Sequence, residues 1–187
     1  MFSFDSPHRI AAVLPSPDGR GLTYVGSLEG NGMQWALSVI ARAPKGGTIV
    51  PDYSAGTITV RNAPVVEFIL AAATDYRLNV KPDYNDPKTY SGAAPYPKVA
   101  SRVAAASSLA AAELFARHLA DYRSLYGRTE ISINPGAPRS VKPTAERLAD
   151  YRKGADDSGL EELYFQYGRY LLIASSREGD AMPANLQ

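Results

Sequence analysis

The sequence predicts an α+β protein: an antiparallel β-sandwich portion, a helical linker, and the first helices of a further, truncated helical domain. Three observations carry this expectation. Residues 33–43 set Met33, Trp35, Leu37, Val39 and Ala41 against Gln34, Ser38 and Arg42, the period of two of a strand with one buried face. Residues 79–97 gather Pro82, Asp83, Asn85, Asp86, Pro87, Ser91, Gly92, Pro95 and Pro97, a composition that ends the β region in a loop. Further on, Leu160, Leu163, Tyr164, Tyr167, Leu171 and Ala174 recur at helical spacing. The implied division is 1–97 for part of an N-terminal β-sandwich domain, 98–142 for a helical linker with a return strand, and 143–187 for the start of the next domain.

In chain order, Trp35 falls on the buried face of its strand and is expected in the core. Lys45-Gly46-Gly47 supplies a turn, and residues 48–50 and 57–61 are short β-branched runs separated by Pro51, Asp52, Ser54 and Gly56, hence hairpin-linked strands. The apolar run 65–73, interrupted only by Glu67, fits a strand covered on both faces. From Lys98 the chain turns alanine-rich and helical. Ala111, Phe115, Leu119, Tyr122 and Tyr126 share one face, and Gly127 is placed to end the helix.

Residues 129–134 alternate Ile131 and Ile133 with Glu130 and Ser132, predicting a short return strand before Pro135-Gly136. Thr144 is expected to cap a short helix ending at Gly154, and Ser158 with Glu161 has the spacing of a capping box for a longer one. That helix also carries Phe165, Tyr170, Leu172 and Ile173 on its other faces, so it expects neighbours nearly all round. The triplet Asp-Tyr-Arg recurs at Asp75, Asp121 and Asp150, but in unlike settings and at unequal spacing, which is not a repeat.

Composition narrows the function. Lys and Arg total 20 against 19 Asp and Glu, a net charge of +1, so no basic field draws nucleic acid or anionic lipid, and neither partner is expected. There are no cysteines, hence no disulfide framework and no thiolate metal site. The longest strongly apolar stretch, 68–73, is far short of the roughly 20 residues that cross a bilayer. Residues 1–10 contain Asp5, Pro7 and His8 and do not read as a signal peptide. Phosphate loops, nucleophile elbows and His-Glu-x-x-His pairs are missing from the sequence.

Individual residues read mostly as structural. Glu161 and Glu162 are adjacent and point about 100° apart on a helix, so they cap and offset the dipole rather than converge on one bond. His118, beside Phe115 and Tyr122, is expected to make a structural hydrogen bond. Arg169, inside an apolar helix, needs a carboxylate or several carbonyls, and a buried salt bridge is the preferred role. Tyr53, Tyr84, Tyr90 and Tyr96 are the aromatics available should the β region bind carbohydrate.

The run Leu163-Tyr164-Phe165-Gln166-Tyr167-Gly168-Arg169-Tyr170-Leu171-Leu172-Ile173-Ala174-Ser175-Ser176-Arg177, followed by Met182-Pro183-Ala184-Asn185-Leu186-Gln187, closely resembles a signature of the α-L-fucosidases of glycoside hydrolase family 95. Residues 118–128, 143–148 and 71–76 resemble, respectively, that family's helix-to-strand connection, the entry to its catalytic domain and the end of its β-domain. The resemblance implies that the helices from 143 open an (α/α)6 barrel. It also implies an inverting glycosidase without metal or organic cofactor, in which a Glu protonates the departing oxygen while a water attacks from the opposite face.

The implied substrate is a fucosylated oligosaccharide or a plant or host glycan, with terminal α-L-fucosyl or the related α-L-galactosyl as the residue removed. The implied location is exported, periplasmic or extracellular. In that family the His-x-Asn-x-Asn run and both carboxylates lie downstream of the motif ending at Gln187, so no catalytic residue is carried over and the chain alone is expected to be inactive. Asn185 and Gln187 are the candidate substrate-binding residues, because loops between barrel helices line the pocket and amides pair well with hydroxyls. The competing class is a non-catalytic carbohydrate-binding or structural β module.

Overall fold

The computed structural model describes residues 1–138 and 140–177. It divides into two units, Met1–Leu114 and Phe115–Gln187. The first unit holds seven strands, β1 (Phe2–Ser3), β2 (Arg9–Pro15), β3 (Gly21–Ser27), β4 (Gln34–Arg42), β5 (Thr48–Asp52), β6 (Thr57–Arg61) and β7 (Glu67–Thr74), then helix α1 (Tyr96–Ser107). All pairing is antiparallel, in two sheets of order β2-β3-β4-β7 and β1-β6-β5. Together with the helices this is the expected α+β class.

Leu22, Tyr24, Val39, Ala41 and Ile58 are buried together, with Phe4, Val13, Trp35, Leu37 and Val60 packed against them. Trp35, expected in the core, is partly buried and packs against that cluster, its ring 5.9 Å from that of Phe4. The Tyr24 hydroxyl donates to the Gly56 carbonyl at 2.7 Å, pinning β3 to the β5–β6 turn.

Two strands exchange the roles expected of them. The alternation of β4 predicts one buried face, yet Ala36, Ser38 and Ile40 are also buried, and α1 packs over β4 and β7 with Val99, Ala100 and Val103 turned inward. The Thr23 and Ser38 hydroxyls bond each other at 2.9 Å, which satisfies two polar groups that burial would otherwise penalise. β7, read as covered on both faces, instead leaves Phe68 and Leu70 half exposed. The reason is position. β7 is the edge strand of its sheet, and although Phe2 of β1 reaches Phe68 at 5.3 Å between ring centroids, Leu70 stays 51% exposed.

Arg42, at the end of β4, pairs with Glu67 at 2.6 Å and donates to the carbonyls of Ser107 and Leu109. The Ser107 carbonyl is one of those a helix C-terminus leaves without partners, and Leu109 lies just beyond that end.

The division falls within α2 (Ala111–Tyr126); α3 (Thr144–Tyr151) and α4 (Ser158–Ser175) belong to the second unit. Both predicted caps move by one residue. Pro143 holds the N-cap of α3 with Thr144 already helical, and Asp157, not Ser158, caps α4 by accepting from the Leu160 amide at 2.9 Å. Asp157 has non-helical backbone angles and a charged acceptor, which the hydroxyl of Ser158 does not match.

The return strand predicted at 129–134 does not form. Its Ile133 amide donates to the Glu162 carboxylate at 2.6 Å instead of to a strand, and Asn134 turns left-handed at φ 51°. Leu160 is the one buried residue of α4, while large apolar residues such as Leu163, Tyr167 and Leu172 remain about half exposed.

Candidate functional site

The second unit holds a cleft of about 570 Å³ between α3, the start of α4, and residues 133–138 and 140–142. Its wall is built by charged pairs. Arg147 on α3 grips Asp157 with two parallel hydrogen bonds of 2.8 Å, from Nε to Oδ2 and from Nη2 to Oδ1. Such a fork suits a guanidinium and a carboxylate, and Asp157 caps α4 at the same time. Lys142 Nζ donates to Asp150 at 2.7 Å, and the Tyr151 hydroxyl donates to Glu161 at 2.7 Å.

These contacts set the electrostatics. The hydrogen bond from Lys142 and its charge hold the Asp150 carboxyl below the usual range, and the same pairing pushes the Lys142 ammonium up. Tyr151 is pushed up by its hydrogen bond to Glu161 and by that charge. An inverting hydrolase needs one carboxylic acid kept protonated near neutral pH and a second, separated carboxylate for the water. Here Asp150 is shifted the opposite way, and Asp157, Glu161 and Glu162 are each committed to an arginine, a tyrosine or a backbone amide. The cleft is a clasp between α3 and α4. Glu161 and Glu162 serve different partners, as adjacent helical positions require.

The lowered Asp150 yields a pH prediction. A carboxylate depressed in the folded state contributes stability above its unfolded value, near pH 4, that is lost as pH falls through the folded value. Asp150→Asn should therefore lower the helical melting temperature at pH 7, and the difference from the parent should shrink as pH falls below the usual carboxylate range, measured by circular dichroism. A constant difference across that range would contradict the assignment.

Arg169 lies apart from this cleft. It donates to the carbonyls of Tyr126 and Thr129 and to Gln166 Oε1, each at 2.8 Å, and its guanidinium carbon sits 4.8 Å from the Tyr126 ring centre. The expected salt bridge is thus replaced by carbonyls at the C-terminal end of α2, where orphan acceptors and the dipole favour a cation. Beside it His118, Tyr122 and Tyr126 stack along α2, with Tyr170 edge-on to Tyr122. His118 is exposed and its visible role is this stacking. Burial, then the neighbouring Tyr126, pushes the Tyr122 hydroxyl up.

Asn185 and Gln187 lie outside the described residues. Of the tyrosines, Tyr53 and Tyr96 are moderately exposed, Tyr84 protrudes, and Tyr90 stacks on Tyr76. Among the described residues no group of three or more His, Asp or Glu is placed to hold a metal, and no single helix is long and apolar enough to cross a membrane. Sequence reading missed Arg147 and Asp157. The signal was present: an Asp three residues before Leu160, just after Gly154 has ended the previous helix.

Residues 110–187 match the model of the glycosyl hydrolase family 95 catalytic domain. The chain is 32% identical over 163 residues to α-L-fucosidase 2 of Arabidopsis thaliana, an alignment covering 83% of this chain and 18% of that protein. It is 29% identical over 160 residues to a probable α-fucosidase A of Aspergillus niger, covering 83% and 19%. With a probable α-fucosidase A of Aspergillus oryzae it shares 27% over 184 residues, covering 96% and 23%. The chain thus spans about a fifth of the length of the curated relatives it matches.

Proposed function

Starting from a chain that is α-L-fucosidase-like, of glycoside hydrolase family 95, we propose that it is the portion of an inverting glycosidase that joins a β-sandwich domain to the first helices of an (α/α)6 catalytic barrel. On this reading residues 1–97 are sandwich, 98–142 linker and 143–187 barrel entry, and the whole enzyme removes terminal α-L-fucosyl groups from oligosaccharides. The observation that carries the reading is the family 95 catalytic-domain match over 110–187. Two features of the second unit support it. Helix α4 keeps apolar side chains exposed around its circumference, as a barrel helix awaiting neighbours would. Asp157, Glu161 and Glu162, held by Arg147, Tyr151 and the Ile133 amide, are engaged in structural contacts rather than set as an acid and base across a water, which supports a structural role for this segment.

The test is turnover of a fluorogenic α-L-fucoside. The 187-residue chain should give none above buffer. The protein extended by the coding sequence that follows Gln187 should release fucose with inverted anomeric configuration, seen by proton NMR. Turnover by the chain alone would refute its assigned role. An extended protein that cleaves only α-L-galactosides would move the substrate to the related sugar, and one that cleaves neither would sink the hydrolase reading.

A further inference from the structure

The loop between β7 and α1 carries three tyrosines that neither the core packing nor the hydrolytic reading employs. Tyr76 and Tyr90 stack with centroids 5.7 Å apart and planes 17° from parallel, and burial, then the neighbouring Tyr84, pushes the Tyr90 hydroxyl up. Tyr84 itself is 86% exposed. The loop beneath them is well braced. Asn79 Nδ2 donates to both the carbonyl and the hydroxyl of Thr89 at 3.2 Å, and that hydroxyl accepts from the Asp83 amide at 2.9 Å. The Arg77 amide donates to the Tyr90 carbonyl at 2.7 Å, and Tyr76 and Ser91 form an antiparallel bridge. Asp75, buried, accepts from the Gln34 amide at 2.9 Å and so ties the loop to β4.

We propose that Tyr76, Tyr84 and Tyr90 form a contact platform for a neutral oligosaccharide. Tyrosine presents a large amphipathic surface at low entropic cost, a ring face for the C–H face of a pyranose and a hydroxyl for its hydroxyls. A braced loop spares the ordering that binding would otherwise cost. The exposed charges of the loop nearly cancel, Arg77, Lys81 and Lys88 against Asp83 and Asp86, so no strong field of either sign selects an ionic ligand. The choice of a carbohydrate over another neutral ligand rests on the glycosidase reading above.

Titration of the chain with cellotetraose, followed by amide and tyrosine-ring NMR, tests the platform. Saturable shifts confined to residues 76–91 are expected, with a Kd of about 1–10 mM for so shallow a surface. Tyr84→Ala should weaken binding at least about fivefold while the amide spectrum outside the loop is retained, and Tyr84→Phe should fall between. Tyr53→Ala, at an exposed tyrosine elsewhere, should bind like the parent. No saturable shift at about 50 mM sugar, or an unchanged Kd in Tyr84→Ala, overturns the proposal. Cellotetraose carries no fucose, so this titration can succeed where fucoside turnover fails, and fail where turnover succeeds.

Discussion

Gly26→Ala should unfold or severely weaken the first unit. A Cβ at Gly26 would fall 2.5 and 2.6 Å from Cζ2 and Cε2 of Trp35 and closer still to the carbonyl oxygen of Arg9. Neither neighbour can yield. The Arg9 oxygen belongs to β2, which pairs with β3 from Arg9↔Ser27 through Pro15↔Leu22, and the indole packs against the buried cluster. Overpacking a well-filled site costs about 1–3 kcal/mol, and a collision with backbone lies at or beyond the upper end. That is a large share of the roughly 5–15 kcal/mol by which domains are stable. Trp35 is the sole tryptophan, so its fluorescence reports on this unit: the variant should show an early or missing transition. Gly168→Ala is the contrast, because nothing stands within 4 Å of a Cβ there and the site is inside α4. It should be neutral or stabilise by up to about 1 kcal/mol. Equal effects of the two substitutions would mean that the crowding at Gly26 has been misread.

The close approach at Gly26 also shows where the fold was legible. The two-residue period of β4 was readable because its apolar positions are uninterrupted, and it placed Trp35 against the buried cluster. β3 has the same alternation, Leu22 and Tyr24 against Thr23 and Val25, but Gly21 and Gly26 at its ends blunt the signal. Those glycines are required by backbone approach rather than by a turn, and only three-dimensional pairing discloses that. The exchange of exposure between β4 and β7 depends on strand order, which a local pattern does not encode. The return strand failed for the opposite reason: its alternation is real, but Glu162, 29 residues away, takes the Ile133 amide. The candidate site was least legible of all, since Asn185 and Gln187 rested on resemblance. The clasp of Arg147 and Asp157 joins two helices through side chains whose meeting depends on the turn around Gly154.

Arg169→Ala should be the most damaging single change in the second unit. Its guanidinium is the shared donor for the carbonyl of Tyr126, the last residue of α2, that of Thr129 just beyond it, and the Gln166 side-chain oxygen on α4 itself. Hydrogen bonds from a charged donor contribute about 1.5–3 kcal/mol each when well shielded, and partial exposure reduces that, so a net loss of about 3 kcal/mol is expected for the three together. Loss of the stacking contact with Tyr126 adds to it. Arg169→Lys should recover less than half, because a single ammonium cannot span the Tyr126 and Thr129 carbonyls while lying over the ring. The readout is the melting of the 222 nm helical signal with Trp35 fluorescence followed in parallel. The helical transition should move down by several degrees and the tryptophan transition should stay, since Arg169 and its partners all belong to the second unit. If lysine restored full stability, charge alone would suffice and the carbonyl clamp would lose its role. If the clamp holds, its position gives it a use in the proposed enzyme: it fixes the start of residues 128–138 against α4, and so sets the direction from which the chain enters the proposed barrel.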